Sequence, residues 1–431
     1  MEQSGSEQDS ARQDGQVGAE QVGKDRVVPG QVTVDEVRAA AELLRGVARF
    51  TPMESSRPLH ALVGGPVYLK CENLQRTGSF KIRGAYVRIA RLSEQEKAAG
   101  VVAASAGNHA QGVALAASLV GSTATVYMPV GASIAKLTAT RAYGAHVELV
   151  GESLDDALEA AHAFAARTGA VLVHPFDHPD VLRGQGTVGL EILEQVPEVA
   201  TVVVAAGGGG LLSGVAAVVR SLRPDVRIVG VQAEQAAAWP ESLRSGRPVR
   251  LRGMSTLADG IAVGEPSALT FAHVTELVDE IVTVSEDQLS QAMLLCLERA
   301  KLVVEPAGVA AVAAIMARPE LFNPPVVAVL SGGNIDPLVL LHVTQHGLVA
   351  ARRFLSLRIE IIDRPGSLAA LLALVGELGG NVVDVEHSRL GSSLPLGDVE
   401  VALRLETRGA PHCAEIVEAL AAAGFRVLEE R

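Results

Sequence analysis

Between residues 101 and 174 the chain alternates short apolar runs of strand character with longer runs of helical character. "VVAAS" precedes "HAQGVALAASLVG", "ATVYMP" precedes "SIAKLTATRAYG", "HVELVG" precedes "LDDALEAAHAFAART", and "AVLVHP" closes the series. Alternation of this kind indicates βαβ units, which lay their strands side by side in a parallel sheet. A second series follows. "TVVVAA" leads into "GGGGLLSGVAAVVRSL", then come "RIVGVQA", "EIVTVS", a helix from Asp287 to Lys301, and "VVAVLSGGN". These predict a second parallel α/β unit, reached by a chain reversal through residues 175–200.

After "HVTQHGLVAARR" the pattern changes. "FLSLRIEIID" reads as a strand, "PGSLAALLALVGELG" as a helix, "NVVDVEHSRL" and "DVEVALRLET" as two strands, "APHCAEIVEALAAAG" as a helix and "FRVLEE" as a last strand. The order βαββαβ is that of a small ferredoxin-like sandwich. Five segments result: a disordered polar tail (1–31), an α/β body (32–344) carrying an inserted smaller subdomain (about 86–176), a linker (345–353) and the C-terminal sandwich (354–431). The body opens on "VTVDEVRAAAELLRG", an amphipathic helix with Asp35 near its start.

Composition excludes several functions. The formal net charge of −12 argues against a polyanion-binding surface, and 3% aromatic residues leave few platforms for stacking bases. Cys71, Cys296 and Cys413 are odd in number and unpaired in pattern, which reads as a reducing compartment without a disulfide framework. The histidines show no ligand spacing, so no zinc site is expected. The start, "MEQSGSEQDSARQDGQ", has no apolar run and is not a secretory signal, and no later stretch is long enough to span a bilayer. The expectation is a soluble cytoplasmic protein.

Four motifs could carry chemistry. In "TGSFKIRGA" (77–85), Lys81 is a long cation in a small-residue frame. In "AAGGGGLLSG", Gly207, Gly208, Gly209 and Gly210 lie between a strand and a helix start, where backbone amides approach an anion closely and the helix dipole assists. A tight turn without ligand is the plainer alternative, and the missing GK[ST] excludes a P-loop. In "SAGNHAQG" (105–112), Gly107, Asn108 and His109 would present amides suited to a carboxylate, although Asn108 could simply be an N-cap. "LSGGN" (330–334) places Ser331 at a strand end, where ligands sit in open parallel sheets. Together these parts describe a site for pyridoxal phosphate, with Lys81 condensing with the aldehyde as a Schiff base.

From about residue 33 to 340 the sequence resembles the serine/threonine dehydratases, pyridoxal-phosphate enzymes of fold type II; "SFKIRGA", "SAGNHAQG", "GGGGL" and "SGGN" occur in that family's order. The C-terminal segment resembles an ACT domain through "DRPGSLAALL", and the chain as a whole resembles threonine ammonia-lyases with one such domain. The resemblance implies that Lys81 holds the cofactor and then acts as base at Cα, with Ser79 and Phe80 near the ring and Asn108 on its phenolic oxygen. It implies phosphate-binding amides at Gly207–Leu211 (Leu211 included), Ser331 facing the ring nitrogen, and Ser105, Ala106, Gly107 and His109 around the substrate carboxylate. A neutral hydroxyl at the ring nitrogen disfavours a long-lived carbanion and suits β-elimination. Relatives that racemise serine carry a serine where this chain has Ala106, so dehydration is favoured over racemisation.

A divalent-cation site of the family is not expected, because Pro240 stands where its carboxylate would be, six residues after Glu234. Asp259 and Glu305 are further site candidates that read equally as cap or loop carboxylates. In the C-terminal segment Asp363, Arg364, Gly366, Ser367 and Asn381 could hold an amino-acid effector such as isoleucine or valine, or the segment could be a dimerisation module alone. A homodimer or homotetramer is expected. Competing readings are β-replacement, 2,3-diaminopropionate cleavage, serine racemisation and a catalytically dead amino-acid sensor. A nicotinamide dehydrogenase comes last, since no G-x-G-x-x-G with an acidic partner is present.

Overall fold

The computed structural model describes residues 32–389 and 397–430; the expected N-terminal tail lies outside them. Strands β1 (Met53–Ser55) and β2 (Val67–Lys70) form an antiparallel pair that sequence patterning did not anticipate. The chain then builds a separate sheet from β3 (Val101–Ala104), β4 (Ala124–Met128), β5 (His146–Leu149) and β6 (Val171–Leu172), all parallel, in the order β5-β4-β3-β6. Strands β7 (Thr201–Ala205), β8 (Arg227–Ala233), β9 (Glu280–Val284) and β10 (Val326–Val329) return to the first pair, giving the six-stranded order β1-β2-β10-β7-β8-β9. All its pairings except β1–β2 are parallel. Every residue of β7 and β10 is buried, because helices cover both faces.

The stretch 175–200 is more than a reversal: it holds helix Pro179–Gln195. His178 caps it and Pro179 occupies its first turn, a favourable start. Its glycines serve close packing. A Cβ on Gly184 would lie 2.5 Å from the Arg83 carbonyl oxygen, and one on Gly214 of the facing helix 2.4 Å from the Leu182 oxygen. Bare backbone lets this helix press against both Lys81–Ala90 and Gly210–Leu222.

Two other boundaries move. The helix expected over 287–301 runs from Glu286 to Leu295 and continues as a π-type turn, Cys296–Ala300, ending at left-handed Lys301. Helix Pro337–Ala350, capped by the Asp336 side chain, runs through much of the expected linker and leaves only residues 351–353 as a turn. Beyond it β11 (Phe354–Ile362), β12 (Asn381–Ser388), β13 (Asp398–Glu406) and β14 (Arg426–Glu430) form an antiparallel sheet, order β12-β13-β11-β14, with helices Ser367–Glu377 and Ala410–Ala422. Among the described residues no helix is long and apolar enough to cross a membrane.

Candidate active site

Lys81 opens helix Lys81–Ala90, and the loop before it is bent sharply. Thr77 adopts φ 62°, a left-handed conformation that is strained for a β-branched residue. Asn334 holds it there: its Nδ2 donates to the Thr77 oxygen at 2.5 Å. Ser79 then runs extended and bridges to Gly332, while the Phe80 N–H donates to the Ser331 oxygen at 3.2 Å. Two motifs distant in sequence are thereby tied edge to edge.

The helix is anchored from beneath by a buried ion cluster. Arg83 Nε and Nη2 donate to the two carboxylate oxygens of Glu72 at 2.8 and 2.7 Å, and Nη1 donates to Glu191 at 2.6 Å. Arg83 and Glu72 are 1% and 0% exposed, so this pair is strong only while complete.

The Lys81 Nζ donates to the Pro175 carbonyl at 3.0 Å and lies 5.2 Å from the centroid of the Phe80 ring. Burial lowers its pKa to about 8, against the opposing pull of the Glu305 carboxylate. A neutral amine, the nucleophilic form, is therefore populated near neutral pH.

The residue after Pro175 connects the lysine to the glycine loop. A Cβ on Gly208 would come within 2.3 Å of the Phe176 ring, and one on Gly210 within 2.8 Å of the Phe176 Cβ. These two glycines are small because Phe176 packs on them. Gly209 is different: its φ of 90° and the Trp239 ring, 2.5 Å from a would-be Cβ, both demand glycine. Trp239 also donates through Nε1 to the Gly207 oxygen at 2.7 Å, a support that sequence reading missed. Among the described residues the N–H groups of Gly207 through Leu212 meet no acceptor. They open the helix Gly210–Leu222, whose dipole adds attraction for an anion.

A second set of open amides heads helix Asn108–Leu119. Gly107 is the N-cap and its N–H donates to Ser105 Oγ at 3.2 Å; the N–H groups of Ala106, Asn108, His109 and Ala110 find no acceptor among the described residues. Asn108 is thus not the cap. Its Nδ2 donates to Glu305 Oε1 at 2.6 Å and its Oδ1 accepts from Asn334 Nδ2 at 2.7 Å, so the amide is clamped from both sides. The His109 ring is engaged elsewhere: buried, it donates through Nε2 to the Val173 oxygen at 2.7 Å, and burial drives its pKa down to about 3. Its backbone N–H is the donor left open toward an anion.

Glu305 is 3% exposed, and burial, with the Asp259 carboxylate second, pushes its pKa up to about 7. A Cβ on Gly332 would sit 2.2 Å from its Oε1, which places Glu305 directly against the "SGGN" turn. Ser331 is buried at that turn, and Ser79 Oγ is buried with no partner. Asp259 is largely exposed and pairs with Lys136. The structure brings Lys81, Phe80, Ser79, Asn108, Ser331 and Glu305 into one contact network, which Pro175 and Phe176 connect to the glycine loop.

These features fit pyridoxal phosphate. Six unpartnered amides can take a phosphate, a lysine of lowered pKa can take an aldehyde, and the Ser331 and orphaned Ser79 hydroxyls can take ring or substrate polar atoms.

The C-terminal candidates separate. Asp363, Arg364, Gly366 and Ser367 line a cleft of about 270 Å³ with His387 and Arg389, and Arg389 Nε donates to Asp363 at 3.0 Å. Asn381 does not join them. It pairs with Glu406, which faces Phe354 at the opposite end of β11 from Asp363, and its side chain donates to Glu406 at 3.1 Å.

Comparison with known proteins agrees with this geometry. The family described as "Pyridoxal-phosphate dependent enzyme" matches residues 44–332. An L-threonine ammonia-lyase of Thermotoga maritima is 48% identical over 396 residues, 92% of this chain and 99% of that one. A protein of the same name from Geobacter sulfurreducens is 45% identical, covering 91% of this chain and 98% of its own. Among solved structures, the processed form of threonine deaminase isoform 2 from Solanum lycopersicum superposes with a TM-score of 0.70 at 36% identity, over 76% of this chain and 94% of that one. The chain belongs to the pyridoxal-phosphate dependent enzymes.

Proposed function

We propose that the protein is a threonine ammonia-lyase, converting L-threonine to 2-oxobutanoate and ammonia and L-serine to pyruvate and ammonia. The observation that carries this is the convergence of a buried, low-pKa lysine with two helix starts whose amides are open. The relatives named L-threonine ammonia-lyase support the same substrate. Pyridoxal phosphate, when bound, supplies the electron sink that makes a substrate Cα–H acidic. Lys81 Nζ would hold the cofactor and, as a neutral amine, would move the Cα proton. Amides of Gly207 through Leu211 would hold the phosphate, and Asn108, fixed by Glu305 and Asn334, would offer its amide to the ring. Ser331 would supply a neutral hydroxyl rather than a carboxylate to the ring. Amides at Ala106, Asn108 and His109, with Ser79 and Ser105, receive the substrate carboxylate. Ala106 offers no group to deliver a proton from the opposite face, which favours loss of the β-hydroxyl over racemisation. The β-hydroxyl leaves with one proton as water, and one water is consumed when the released enamine hydrolyses to the 2-oxo acid and ammonia.

The C-terminal sheet is read as an ACT domain that senses a branched-chain amino acid. Its cleft is the support: the start of helix Ser367–Glu377 faces one side, and Asp363 and Arg389 offer both signs of charge. Edge strand β12, with Val383 half exposed, suits pairing into a dimer or tetramer.

The test is the visible absorbance of the purified protein before and after threonine, beside Lys81→Ala. A cofactor band lost in the variant, with 2-oxobutanoate formed only by the unaltered protein, supports the assignment. A band without any 2-oxo acid from threonine or serine overturns it.

A further inference from the structure

Two contacts join the small-sheet subdomain to the body beside the site. Ser133 Oγ donates to Asp336 Oδ2 at 2.7 Å, and Lys136 Nζ donates to Asp259 Oδ2 at 2.5 Å. Both donors lie in the first turn of helix Ile134–Ala142 or its cap. The lysine pair is lopsided. Its Lys136 side chain is 16% exposed and its Asp259 side chain 61%, so the cation is inside and the carboxylate outside.

The inward side of the amine faces the substrate end of the site. A Cβ on Gly107 would be 3.9 Å from Lys136 Nζ, and Gly107 caps the helix whose amides at Asn108, His109 and Ala110 are open. The same charge reaches buried Glu305 and favours its ionised form. A cation and a helix N-terminus thus converge on one place, an arrangement that attracts a carboxylate more than either alone.

We propose that Lys136 binds the carboxylate of the amino-acid substrate, leaving Asp259 as the substrate arrives. The proposal rests on the threonine reading above and adds the residue that tells an amino acid from its uncharged analogues. Asp259 is then the resting partner of the lysine. An ion pair with so exposed an acid contributes little net stability, so exchanging it costs little. The bond to the substrate forms deeper, with less competing water, where charge-assisted hydrogen bonds are stronger.

The experiment uses the holoenzyme and two readouts: steady-state rates with L-threonine, and calorimetric binding of L-alanine, which has no leaving group at Cβ, against L-alaninamide. Lys136→Met raises the KM for threonine and the Kd for alanine roughly ten- to hundredfold, with kcat within about threefold. It narrows the preference for alanine over alaninamide, and Lys136→Arg restores much of it. Asp259→Asn lowers both constants, because it frees the lysine. Equal increases in Lys136→Met and Asp259→Asn would mark a mere latch between subdomains and overturn the proposal, as would an unchanged KM in the lysine variant. If Lys136→Met fails to retain cofactor absorbance, Lys136→Gln carries the same test. Failure of the unaltered enzyme to make 2-oxobutanoate would instead remove the threonine reading.

Discussion

Replacing Glu305 with glutamine isolates the energetic cost of a buried carboxylate. Glu305 is 3% exposed, and burial and the neighbouring Asp259 move its pKa from an ordinary 4.5 to about 7. Below pH 4.5 the group is protonated in folded and unfolded chains alike, and no penalty arises. Between 4.5 and 7 the unfolded chain ionises first, so stability falls as pH rises; above 7 the full penalty is present. That interval corresponds to about 3 kcal/mol. Glutamine keeps the oxygen that accepts from Asn108 Nδ2 and removes the charge. In cofactor-stripped protein, Glu305→Gln exceeds the unaltered chain by less than about 1 kcal/mol at pH 5, close to the ordinary pKa of the unfolded carboxyl. At pH 8 it gains up to about 3 kcal/mol, a rise in Tm of about 3–6 °C for a chain of this size. Scanning calorimetry at the two pH values reads the difference. Equal Tm values at pH 8, or a glutamine variant less stable there, would refute the claim that Glu305 is strained by its charge.

Three further outcomes are expected. Cofactor uptake by the stripped protein accelerates as pH rises through about 8, where Lys81 becomes neutral; stopped-flow absorbance measures it, and a rate flat from pH 6.5 to 9 would contradict the lowered pKa. Arg83→Leu strands Glu72, which is 0% exposed, and costs about 3–5 kcal/mol in urea unfolding, whereas loss below about 1 kcal/mol would mean the cluster is not a tight one. Arg389→Ala weakens any inhibition by a branched-chain amino acid in rate assays, while Asn381→Ala in an isolated chain's own cleft does nothing, since Asn381 is at the far end of the sheet.

Much of the architecture was legible because buried parallel strands leave continuous Val and Ala runs, as in β7 and β10. Helix Pro179–Gln195 was not, because Gly184, Gly186 and Gly189, which permit its close packing, look like turn residues in isolation. The lysine, the glycine loop and the two strand-end motifs could be named from local composition. Their supports could not. Asn334 reaches Asn108 across 226 residues, Lys136 reaches Asp259 across 123, and Trp239 reaches Gly207 across 32, distances at which no local pattern speaks. Asn381 failed for a related reason: a strand start suggests a ligand position, but only the register tells which end of the sheet it occupies.

The place of β10 in the large sheet bears on how the protein is made. It lies between β2 and β7, and Val326 pairs with Val67. Until β10 emerges from the ribosome, the β1–β2 pair has no neighbouring strand to join it to the rest of the sheet. The intervening residues take roughly 13–50 s to synthesise at ordinary elongation rates. The β3–β6 sheet, contiguous in the chain, can assemble within that interval. The "SGGN" turn that braces the lysine loop arrives only with β10. The order of synthesis thus leaves the insert free to fold while the cofactor site is still incomplete.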